Sequence, residues 1–119
     1  MADTSYEFGE ACPDKGVAVL STLRFAEGTT TTTDASRGVN ENQEKVLLLR
    51  RTLKILAHEM GHLFHLKHCI FYQCVMNGWA HLDEMDESPL HLCPICLRKL
   101  HHGLVPLLLV VQQGRPRPQ

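Results

Sequence analysis

An α+β fold follows from three features of these 119 residues: a short apolar run near the start, a long proline-free helical segment in the middle, and a proline-opened helix near the end. The expected architecture is a small, partial mixed sheet packed on the long helix, then a cysteine-bearing loop, then a C-terminal helix. Met1 to Lys15 reads as mostly irregular, with Tyr6-Glu7-Phe8 as a short strand. After Gly16, Val17 to Phe25 is an apolar run that alternates towards its end, the pattern of a strand buried on at least one face. Gly28 and the threonines Thr29 to Thr33, followed by Asp34 to Gly38, read as an exposed loop. Threonine favours strands, but no apolar residue alternates with this run and glycines bracket it.

The long helix comes next. Asn40 or Asn42 can cap it, and Glu44 falls in its first turn. Val46, Leu49, Leu53, Leu56, Met60 and Phe64 recur at three- and four-residue steps and form its expected core-facing stripe. His58, Glu59 and His62 lie off that stripe, where a cleft can reach them. Asp83 to Glu87 reads as a solvated acidic loop ending at Ser88-Pro89. Cys93-Pro94 then opens the second helix, with proline tolerated in its first turn, to about His101. Gly103 and Pro106 disfavour its continuation. The domain is therefore expected to span 1–103, with 104–119 a divergent, disordered tail in which Arg115 to Pro118 is plain terminus.

Composition narrows the possibilities. The length suits one domain. A formal charge of −1 and a pI near 6.7 give no reason to expect nucleic-acid binding. The longest apolar stretch, Val105 to Val111, is far shorter than the ~20 residues a bilayer needs, so no membrane partner is expected. No basic leader precedes an apolar run at the start, and five cysteines without one favour thiols or metal ligands over disulfides. The expected compartment is cytosol or nucleus.

The chemistry sits in His58-Glu59-Met60-Gly61-His62, followed by His68 six residues further on. Two histidines four apart on a helix project from one face and can bind one zinc. Glu59 lies about 100° around the helix, close enough to reach a water in that site without being a ligand. His68 joins them only if the helix stops just after His62 and the chain turns back. Three ligands leave a fourth position open, as in a catalytic zinc site. Cys69, Cys74, Cys93 and Cys96, paired as C-x4-C and C-x2-C, fit a closed tetrahedral zinc site, with free thiols or two disulfides as the alternatives. Cys12 matches no motif and reads as a free thiol. His81, His91, His101 and His102 read as surface residues.

This combined pattern, with Met76 between the cysteine pairs, resembles the archaemetzincins, a branch of the metzincin metallopeptidases. The likeness is detailed from about Glu44 to Leu100 and looser from Tyr6 to Phe25. It implies a zincin/metzincin-like fold and hydrolysis of peptide or protein substrates by a zinc-activated water. His58, His62 and His68 would hold the catalytic zinc, Glu59 would act as general base, and the four cysteines would hold a second, structural zinc. Met76 would form an apolar floor beneath the ligands. Two departures accompany the likeness. His65 stands where the family pattern has the glycine that ends the helix in a left-handed turn, and too few residues precede the helix for the family's full sheet. The competing reading is a catalytically silent zinc-binding module acting through protein contacts.

Overall fold

Pairing begins at Gly9, where the chain enters a hairpin. The structure, a computed structural model, describes residues 8–26 and 41–114. Strand β1 (Gly9–Cys12) pairs antiparallel with β2 (Val17–Leu20), Gly9 opposite Leu20 and Cys12 opposite Val17. A 3-10 turn at Pro13–Lys15 joins them, closed by Gly16 in the left-handed conformation at φ 67°, whose N–H donates to the Pro13 carbonyl. The expected strand at Tyr6-Glu7-Phe8 lies outside the described residues except for Phe8, which precedes β1.

The sheet corrects two expectations. It is a two-stranded antiparallel hairpin among the described residues, not a mixed sheet. The strand expected from Val17 to Phe25 stops at Leu20: the ladder ends with the Ser21 N–H donated to the Phe8 carbonyl, and the Ser21 hydroxyl then accepts the Leu23 N–H. That local bonding diverts the chain into a 3-10 turn at Leu23–Ala26. Nor does β2 bury a full face: Val19 is 72% exposed, since no described strand or helix covers that side of the hairpin.

Helix α1 (Glu41–Leu63) is rotated relative to the expectation. Its buried face carries Arg51, Lys54, Ile55, His58, Glu59 and Gly61, while Val46, Leu49, Leu53, Leu56, Met60 and Phe64 all face solvent. Hydrophobic patterning failed because the hairpin and the following loop dock on the polar side of the helix. Burying these polar groups is tolerable because they are bonded. Arg51 forms a bidentate pair with Asp86 at 2.9 and 2.6 Å and donates to the Phe25 carbonyl. Lys54 donates to the Met85 and Asp86 carbonyls at 2.7 and 2.8 Å. Asp86 lies on α2 (Leu82–Glu87), so the expected acidic loop is a short helix. Its Met85 is fully buried with Phe8, Phe25 and Ile55.

Helix α3 (Pro94–Gln113) starts where expected but runs twelve residues past His101. The stop and tail expected from 104 onward are therefore corrected as far as Gln113; residues 115–119 lie outside the described part. Pro106 removes one N–H from the helix and Gly103 adds backbone entropy, but leucines with high helix propensity on either side carry the helix through. From Val105 onward the side chains are exposed.

Candidate metal centres and cleft

The end of α1 sets the geometry of the histidines. The His65 N–H donates to the His62 carbonyl at 2.9 Å and the Leu66 N–H to the Gly61 carbonyl at 3.0 Å. This is a Schellman ending, with His65 at the left-handed position, φ 64°. The helix thus stops one residue after His62, and the chain turns back to bring His68 over it, as the sequence requires for a third ligand.

The three imidazoles converge through their Nε2 atoms. His58 Nε2 lies 3.1 Å from His62 Nε2 and 3.2 Å from His68 Nε2. Tetrahedral zinc with bonds of about 2.05 Å separates its ligand nitrogens by roughly 3.3 Å, so the cluster fits that ion. The opposite nitrogens fix the tautomers: Nδ1–H of His58 donates to the Val75 carbonyl and that of His62 to the Leu66 carbonyl, each at 2.7 Å. Both rings then aim an Nε2 lone pair at the common centre. Burial, opposed by the Val75 bond, lowers the pKa of His58 to about 4, and burial with the neighbouring His62 lowers that of His68. Both rings stay neutral at physiological pH, the form that binds metal.

Glu59 is buried beside this cluster and lines a cleft of about 560 Å³ with the three histidines, Trp79 and Gly9 to Ala11 of β1. A Cβ on Gly9 would come within 3.1 Å of Glu59 Cγ and Oε1, so the strand backbone runs close against the carboxylate. Met76 is fully buried beneath the helix, and its Sδ occupies the space a Cβ on Gly61 would need. That is the floor position expected for it.

The four cysteines form a second cluster. Cys69, Cys74, Cys93 and Cys96 are all buried and unpaired by disulfides, with their sulfurs within 4.8 Å of one another. Cys69 and Cys93 Sγ are 3.7 Å apart, close to the roughly 3.8 Å edge of a tetrahedron with 2.3 Å zinc–sulfur bonds. Backbone N–H groups of Met76 and Cys93 donate to Cys74 Sγ, and that of Cys96 to Cys93 Sγ, which suits thiolates. Burial would raise the Cys69 pKa, but backbone bonds at Tyr72 and Phe71 and the thiols of Cys93 and Cys96 bring it down to about 7. Burial raises Cys74 and Cys96, the latter further through its thiol neighbours.

All seven candidate ligand positions thus gather into two clusters. Cys12 stays outside both, and so do His81, His91, His101 and His102. His65 lines the cleft but is not in the histidine cluster. Two contributors escaped the sequence reading. Asn77 ties the loop between the clusters, donating to the Cys69 and Tyr72 carbonyls and accepting the Cys74 N–H, each at 2.9 Å. Its signal was the Asn77-Gly78 turn dipeptide. Trp79 stacks on His58 with ring centres 4.5 Å apart, and nothing local in the sequence marks it.

The sequence model of peptidase family M54 matches residues 29–102. Archaemetzincin-2 of Macaca fascicularis is 39% identical over 112 residues, covering 81% of this chain and 31% of that protein. Archaemetzincin-1 of Mus musculus is 51% identical over 51 residues, covering 43% of this chain and 10% of its own length. The chain therefore spans about a third, or less, of these curated relatives. Among solved structures, archaemetzincin from Archaeoglobus fulgidus superposes with a TM-score of 0.60 at 32% identity, over 82% of this chain and 52% of that one. A zinc-dependent peptidase from Methanocorpusculum labreanum gives 0.61 at 33% identity, over 78% and 44%. With the family match extending over the histidine and cysteine spacings that the fold draws together, the chain belongs to peptidase family M54, the archaemetzincins.

Proposed function

We propose that this chain is a zinc-dependent metallopeptidase that hydrolyses peptide bonds in peptide or protein substrates. The observation that carries the reading is the convergence of three Nε2 atoms at 3.1–3.2 Å beside a buried glutamate at the base of an open cleft. His58, His62 and His68 would hold a catalytic zinc, which supplies Lewis-acid polarisation of a carbonyl and lowers the pKa of water towards ~7. The residues of the chain do the rest. Val75 and Leu66 hold His58 and His62 in the ligating tautomer. Glu59 takes the proton from the attacking water and passes it to the leaving amine. Strand β1, with β2 its one described neighbour, presents the cleft with a backbone edge on which an extended peptide can be paired. The cysteines would hold a second zinc that closes the loop after His68 onto α3.

One observation favours a second reading. The sheet is a bare hairpin and the apolar face of α1 is open, so the scaffold around the cleft is lighter than the cleft itself. A silent zinc module acting through protein contacts would tolerate that. Zinc per chain, measured on protein purified without metal-affinity tags, separates the two. The peptidase reading expects two zincs in the parent and one in His58→Ala with His62→Ala. It also expects peptide turnover that disappears in Glu59→Gln while both zincs remain. One zinc in both proteins would leave the histidine site empty and favour the silent module. Turnover by Glu59→Gln at the parent's rate would remove Glu59 as the base.

A further inference from the structure

The residues that leave α1 facing solvent are not scattered. Val46, Leu49, Leu53, Leu56 and Met60 are 41–64% exposed and follow one another at steps of three, four, three and four residues, continued by half-buried Leu63. That is an a/d heptad seam running about 25 Å along the helix. Helix α3 repeats it: Leu97, Leu100, Leu104, Leu107 and Val111 follow the same three-four alternation. Leu97, Leu107 and Val111 are more than half exposed, and Leu108 and Val110 widen the stripe. The two seams belong to helices that barely touch within the chain. We propose that this chain forms a closed two-fold dimer in which the α1 seam of each copy packs against the α3 seam of the other.

Charge selects this pairing over self-pairing. Beside the α1 seam stand the exposed cations Lys45 and Arg50, and a parallel pair of α1 helices would set Lys45 of one copy against Arg50 of the other. An antiparallel α1 pair would avoid that contact but leave both α3 seams in water. Set antiparallel to α1, the part of α3 that meets Lys45 and Arg50 is the stretch after His102, which carries no ionisable side chain, while Arg98, Lys99, His101 and His102 fall at the other end, beside Leu56 and Met60. Reciprocal pairing covers both seams on both copies, the self-complementary arrangement that closes a two-fold dimer. Ten of these apolar side chains are 41–66% exposed and together offer on the order of 800 Å² per copy, the size of a standard stable interface. A membrane suits the same surface less well. Helix α3 is long and apolar enough, by length and composition, to cross a bilayer, but Cys93 and Cys96 hold its start in the cysteine cluster, which leaves about 12 Å of apolar helix from Leu104 to Val111 against a hydrocarbon core of ~30 Å.

The test is sedimentation equilibrium of the zinc-loaded chain over a wide concentration range, and it does not depend on peptidase activity. The expected mass is twice 13.4 kDa. Leu53→Glu with Met60→Glu, and separately Leu107→Glu with Val111→Glu, should each halve it, while zinc content and far-UV circular dichroism stay at parental values. Should either pair lose helix signal, the corresponding glutamine pairs serve instead. Mixing the two variants should restore a heterodimer, because one intact α1–α3 contact remains between them. A parent that is monomeric throughout would overturn the proposal, including a monomer whose α1 seam is shielded from surface labelling by its own chain. So would an α3 variant that still dimerises, a mixture that stays monomeric, a ladder of higher oligomers, or a monomer that binds phosphatidylserine vesicles.

Discussion

Replacing His65 by glycine isolates the strain at the turn that aims the ligands. His65 sits at φ 64°, where a side chain crowds the following carbonyl at a cost of roughly 1–2 kcal/mol. Histidine tolerates the region better than β-branched residues do, which sets the lower end of that range. Glycine removes the crowding but gives the unfolded chain more freedom, which offsets about 0.4–1 kcal/mol of the gain. The net stabilisation is therefore at most about 0.6 kcal/mol, or up to roughly 2 °C in Tm for a domain of this size. Valine at the same position should move Tm the other way by more than glycine raises it. Thermal unfolding of the zinc-loaded parent, His65→Gly and His65→Val measures all three. The same turn supplies the Leu66 carbonyl to His62, so chelator competition on the glycine variant also reads how often the turn opens without metal. Equal Tm values for parent, glycine and valine would refute the reasoning, because a left-handed turn indifferent to its side chain stores no strain.

Other perturbations probe the packing around the clusters. Gly61→Ala drives a methyl into Met76, which is fully buried, and should cost about 1–3 kcal/mol in urea unfolding, with Met76→Ala in the same background recovering part of it. Asn77→Ala removes three hydrogen bonds that hold the loop between Cys69 and Cys74; a loss of about 2–4 kcal/mol is expected, with faster amide exchange at Cys74. In the metal-free protein, His58 has a folded pKa of about 4 against 6.5 unfolded, so the unfolded state binds more protons between those values. Stability should be intact above pH 6.5 and fall by up to roughly 3 kcal/mol as the pH drops to 4, a slope that His58→Gln should flatten.

The site was far more legible than the scaffold, for a physical reason. Metal chemistry fixes ligand types and spacings: a four-residue step from His58 to His62 on a helix, a turn before His68, and paired cysteines leave few alternatives. The departure at His65 was legible too, because only a left-handed residue returns the chain to His62, and that is where φ turns positive. The orientation of α1 was not legible. Leucine periodicity marks a face able to be buried, but which face meets the hairpin depends on Arg51 and Lys54 finding partners on α2, thirty or more residues away. The extension of α3 through Pro106 escaped for a related reason. Proline's local penalty is readable, whereas its balance against the nineteen other residues of the helix is a sum over the whole element.

The two clusters are not independent sites that share a chain. His68 and Cys69 are adjacent in sequence, and Val75, whose carbonyl orients His58, lies between Cys74 and Met76. The Cys69 N–H donates to the Met76 carbonyl and the Val75 N–H to the His91 carbonyl, so the loop is closed on both sides by the segments that bear the cysteines. Four of the seven buried residues in this part of the core are cysteines, so much of what would otherwise be hydrophobic packing is thiol. Burial opposes ionisation of Cys74 and Cys96, and four thiolates in one pocket repel one another unless a cation stands between them. The second zinc proposed for the cysteines would do for this loop what missing apolar contacts cannot. Because Val75 and Met76 ride on the loop, the orientation of His58 and the floor under Gly61 depend on the cysteine cluster being closed.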